Sequence, residues 1–119
     1  MSNEIKETSK PQDNFNIKIG GYNWRINFMS NGTLPYDNAL GFTYSNKQEI
    51  NITNALDMAN TEIVIMHEVV HALLITQGRD FDNNFSQEDL CNFIAWNFKE
   101  IQRITKEIME KRYCWWVNM

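Results

Sequence analysis

The sequence predicts an α+β fold: a small antiparallel sheet of two β-hairpins packed on a buried helix and a second, long helix. Three observations predict it. Apolar and polar residues alternate through 15–19, 22–28 and again through 49–53, the period of half-buried strands. Ten of the fourteen residues from Ile63 to Thr76 are apolar, nearly all round a helical wheel, which predicts a central helix. Leu90, Ile94, Phe98, Ile101, Ile104 and Ile108 then recur at helical spacing.

Each element has its own signal. Residues 1–14 are polar and have little to bury, so they read as a disordered lead ahead of one domain spanning 15–119. Phe15–Ile19 and Tyr22–Phe28 flank Gly20-Gly21, a two-residue hairpin signal. Ser30–Leu40, with Asn31-Gly32 and Pro35, reads as a loop from which Leu34 and Tyr36 pack back. Gly41–Tyr44 and Glu49–Thr53 form a second hairpin around 45–48. The central helix runs from about Thr61 to Gln77, with Asn60 or Thr61 as N-cap and Gly78 closing it. Ser86, with Asp89 three residues on, opens the long helix, which runs from Gln87 to about Arg112. Tyr113–Met119, with Trp115 and Trp116, reads as an aromatic tail docked on the core.

Composition narrows the function. A net charge of −4 and no basic stripe argue against nucleic acid. Unbroken apolar runs such as Ile63–Met66 are far too short for a bilayer, so no membrane role is expected. The two cysteines, Cys91 and Cys114, form no close metal pair and follow no secretory signal. Reduced thiols in a cytoplasmic protein are expected.

The central helix carries His67-Glu68-Val69-Val70-His71, and these are the chain's two histidines. Imidazoles four apart project from one helix face and suit two ligands of a tetrahedral Zn²⁺. Glu68 sits where a general base for a metal-held water would be. A shuffled chain of this composition would show the pattern roughly once in 800. A catalytic zinc takes three protein ligands, and no third histidine exists. The remaining ligand is therefore sought among carboxylates first, with a thiolate as the lesser alternative. Glu88 leads, because Asn92 lies one turn on and can hold a ligand histidine from behind. Asp89, Asp80 and Asp82 are the alternatives. Glu100, Glu107 and Glu110 lie too far along. Tyr36, Tyr44, Tyr113 and Arg112 are candidates for stabilising an oxyanion.

The stretch from Ile65 to Leu74, Gly78, and Gln87–Ala95 together resemble the gluzincin type of zinc metallopeptidase. They are closest to its compact phage- and mobile-element-encoded members near the ImmA/IrrE group. The resemblance covers residues 40–100 well and the first hairpin loosely. It implies a minimal zincin-like fold, one zinc ion on His67, His71 and Glu88, and Glu68 as catalytic base. Asn92 stands where gluzincins carry Asp; it can accept a bond from an imidazole but supplies no full charge. The resemblance also implies a peptide or protein substrate, a specific regulatory protein among the possibilities, paired along strand 49–53. The competing expectation is a catalytically inactive, zinc-stabilised regulatory or protein-binding module with Trp115 and Trp116 at its partner surface.

Overall fold

The computed structural model describes residues 11–30, 34, 39–79 and 84–114. Four strands and two helices follow in order: β1 (Asn14–Ile19), β2 (Tyr22–Met29), β3 (Gly41–Tyr44), β4 (Glu49–Thr53), α1 (Met58–Thr76) and α2 (Gln87–Tyr113). The two hairpins are as expected, with Ile19 opposite Tyr22 and Tyr44 opposite Glu49. Their assembly is not. The sheet order is β1-β2-β4-β3, and β2 pairs with β4 in parallel, Ile26 beside Ile50. The sheet is mixed, and β4 is an inner strand. Its burial fits that place: Ile50, Asn51, Ile52 and Thr53 are all buried.

One face of the sheet supplies Ile17, Ile19, Trp24, Ile26, Ile50 and Ile52 to the core. α1 lays Ile65, Val69, Ala72 and Leu73 on it, and α2 adds Ile101, Ile104, Ile108 and Met109. Burying a side chain of this kind stabilises by about 1.5–3 kcal/mol before entropy is set against it. α1 has the length and apolar content of a membrane span. Here its inner face lies in this core. α1 is nevertheless less enclosed than its composition predicts: Ile63 is 66% exposed and Met66 38%. Both lie on the face turned away from the sheet.

The caps fix where the helices begin and end. α1 starts earlier than expected because Asp57, not Asn60 or Thr61, accepts the Asn60 N–H (2.8 Å). It ends in a Schellman motif: Gly78 N–H donates to Ile75 O, Arg79 N–H to Leu74 O, and Gly78 takes φ +72°. Ser86 and Asp89 form a complete capping box at the start of α2. Of the lead expected to be disordered, residues 1–10 lie outside the described residues, while 11–14 join the body. Gln12 N–H donates to Lys111 O, Asp13 pairs with Arg112, and Phe28 N–H donates to Asp13 O. At the other end, Tyr113 packs on the core and Cys114 is buried with a left-handed backbone. Trp115 and Trp116 lie outside the described residues.

Candidate metal centre

Helical spacing places His67 and His71 on adjacent turns of α1, both exposed. Their ring centroids are 4.9 Å apart and the planes make 71°. A zinc about 2.0–2.1 Å from one nitrogen of each ring would separate the centroids by about 5 Å at a tetrahedral angle. The pair fits two ligands of one ion.

Glu68, on the same side of α1 and lining the same cleft, lies deeper and is 5% exposed. Its partner comes from β3. Thr43 Oγ1 donates to Glu68 Oε1 at 2.6 Å. Gly41, two residues earlier and so on the same face of the strand, makes room for the contact. A Cβ at Gly41 would stand 3.1 Å from Glu68 Cγ and Oε2 and 3.0 Å from Val64 Cγ1. β3 and α1 together bound an open cleft of about 430 Å³, lined by Gly41, Phe42, Thr43, Tyr44, Ser45, Asn46, His67, Glu68, His71 and Ile75.

The strand along this cleft is β3, not β4. β4 is hydrogen-bonded on both sides, so substrate pairing along 49–53 is excluded. β3 is the edge. Thr53 N–H donates to Leu40 O (2.9 Å), which sets the phase of the ladder. In an antiparallel pair, alternate residues bond across it, so the backbone N–H and C=O of Gly41 and Thr43 point to the open edge.

No family model, curated protein or solved structure matches this chain.

The proposed third ligand does not join the histidines. Glu88 is exposed in the first turn of α2, and among the described residues no three His, Cys, Asp or Glu side chains converge on one point. Asn92 lines a separate groove with Gln77, Arg79, Asp89, Phe93, Trp96 and Asn97. Asp89 is held in the capping box and faces Arg79 at 3.5 Å. Hydrogen bonds from Ser86, with the Arg79 charge behind them, keep its carboxyl below the usual range. Asp80 and Asp82 lie outside the described residues. The three downstream acids are committed on α2: Glu100 and Glu107 to Arg103, and Glu110 to Lys106.

Of the oxyanion candidates, Tyr44 lines the cleft, its ring 4.7 Å from that of Phe42. Arg112 and Tyr113 sit at the far end of α2, where Arg112 covers Phe28 and pairs with Asp13. Tyr36 is outside the described residues. Thr43 and Gly41 were not singled out from the sequence. Their one trace there is the two-residue spacing on a strand just ahead of the motif helix.

Proposed function

We propose that the chain is a zinc-dependent peptidase that cuts a peptide laid along the open edge of β3. One juxtaposition carries the reading: two helical imidazoles and a buried glutamate share a cleft with a sheet edge that no other strand pairs among the described residues. The resemblance of residues 65–74 and 87–95 to gluzincins supports it. His67 and His71 would hold the ion, with Glu88 the third donor that the resemblance implies, although Glu88 does not join them here. Bound there, zinc would polarise the scissile carbonyl and make a water acidic enough to ionise near neutral pH.

The chain's own groups do the rest. Gly41 and Thr43 offer backbone N–H and C=O groups that orient an extended substrate as an added strand. Glu68 accepts a proton during attack and passes it to the departing amine. The test is cleavage of an extended-peptide library by the zinc-loaded full chain. Glu68→Gln should retain zinc and cut nothing; cleavage by that variant at the wild-type rate overturns the role. A second reading, a zinc-bearing binding module without turnover, is favoured by the separation of Glu88 from the two imidazoles. It predicts stoichiometric zinc and no cleavage of any peptide or protein by the wild type.

A further inference from the structure

We infer that Thr43 is a positioning residue for Glu68. It fixes one carboxylate oxygen so that the other is left to exchange protons. The inference rests on the peptidase reading for its catalytic meaning, but its geometry stands apart from that reading.

Glu68 is almost fully buried, and a buried carboxylate on a side chain with three rotatable bonds needs an external hold to keep one orientation. α1 cannot supply that hold. The neighbouring residues on the same face, Val64, Ile65 and Ala72, are apolar, and His67 and His71 project into the cleft. β3 supplies it in two ways. The Thr43 hydroxyl donates to Oε1 at 2.6 Å, a distance in the range of charge-assisted O–H···O⁻ bonds. Gly41 gives the slot in which Cγ and Oε2 lie against the strand, where any side chain would intrude at 3.1 Å. Oε1 is thereby engaged, and Oε2, which accepts no hydrogen bond among the described residues, is left to take a proton. The strand whose open edge would hold the substrate is also the strand that orients the base. Substrate and base are thus referenced to the same four residues of backbone.

Removing a partner that orients a catalytic group costs about 10- to 100-fold in activity when the group itself is kept. The variants are Thr43→Val, which keeps the shape and loses the hydroxyl, and Thr43→Ser, which keeps the hydroxyl. Gly41→Ala displaces the carboxylate from the opposite side. Each full-length variant is crystallised without metal and, separately, assayed zinc-loaded on a cleaved peptide. In Thr43→Val and Gly41→Ala the Glu68 carboxylate should leave its wild-type place, and in Thr43→Ser it should stay. The kinetic result expected is a fall in kcat of about 10- to 100-fold in Thr43→Val, with KM within about twofold and most of the rate restored in Thr43→Ser. A Glu68 side chain that keeps its place in Thr43→Val overturns the inference, whatever the activity. So does unchanged kcat. A wild-type protein that cuts nothing defeats the peptidase reading instead, and the metal-free structures still decide the positioning.

Discussion

Glu68→Gln should make the metal-free protein more stable while abolishing cleavage. In the folded protein the carboxylate is 5% exposed, accepts one hydrogen bond from Thr43, and has no ion pair among the described residues. Removing a carboxylate from water costs several kcal/mol even after relaxation. One hydrogen bond to a charged group returns about 1.5–3 kcal/mol. Glutamine is nearly the same shape, keeps an oxygen for the Thr43 hydroxyl and carries no charge. The expected gain is about 1 kcal/mol, within the range seen when a group kept for function is neutralised. For a chain of this length that raises Tm by about 3–6 °C. The assay is urea unfolding of both proteins at neutral pH with a chelator present, because bound metal would add its own linkage. A loss of about 1 kcal/mol or more in Glu68→Gln would refute the reasoning. The carboxylate would then be a structural acceptor whose charge the fold uses.

Other outcomes follow from the same geometry. Ile104→Ala, at a fully buried position between α2 and the sheet, should cost about 2–5 kcal/mol in urea unfolding without altering zinc uptake. Gly78→Ala forces a side chain into φ +72° at the Schellman turn and should cost about 1–2 kcal/mol by the same measurement. Ser86→Ala removes the hydroxyl of the capping box and should cost about 1 kcal/mol. The Asp89 half of that box depends on pH. Its carboxyl titrates lower folded than unfolded, so its support is complete above the ordinary Asp range, about pH 4, and is lost as pH falls through the lowered folded value. Amide exchange at Ser86 should therefore quicken on acidification, beyond the change in intrinsic rate.

Local signals in the sequence located the elements well. Alternation found β1, β2 and β4, the turn at 45–48 set off β3, and Ser86 with Asp89 marked the start of α2. Long-range choices were hidden. Nothing in Glu49–Thr53 distinguishes a strand paired on both sides from an edge strand, except that its outward positions include Asn51 and Thr53, which are buried in the folded protein. The apolar count of α1 overstated its burial, because composition alone does not say whether a neighbour covers Ile63 and Met66. The start of α2 shows the same limit. Leu90, Ile94 and Phe98 continue its core stripe yet are exposed. At the site, the spacing of His67 and His71 was legible because one helix turn fixes it. The hold on Glu68 was not, because it joins residues 25 apart. The third ligand was chosen by position in the chain, and position does not say which way the first turn of α2 faces.

The most direct test of the account is a zinc titration of the full chain beside the His67→Ala/His71→Ala double variant, with X-ray absorption on the saturated wild type. One ion per chain on two imidazole nitrogens with oxygen donors completing the shell, and no such binding in the double variant, is the predicted result. Saturable zinc that survives loss of both histidines, or no saturable zinc in the wild type, would contradict it.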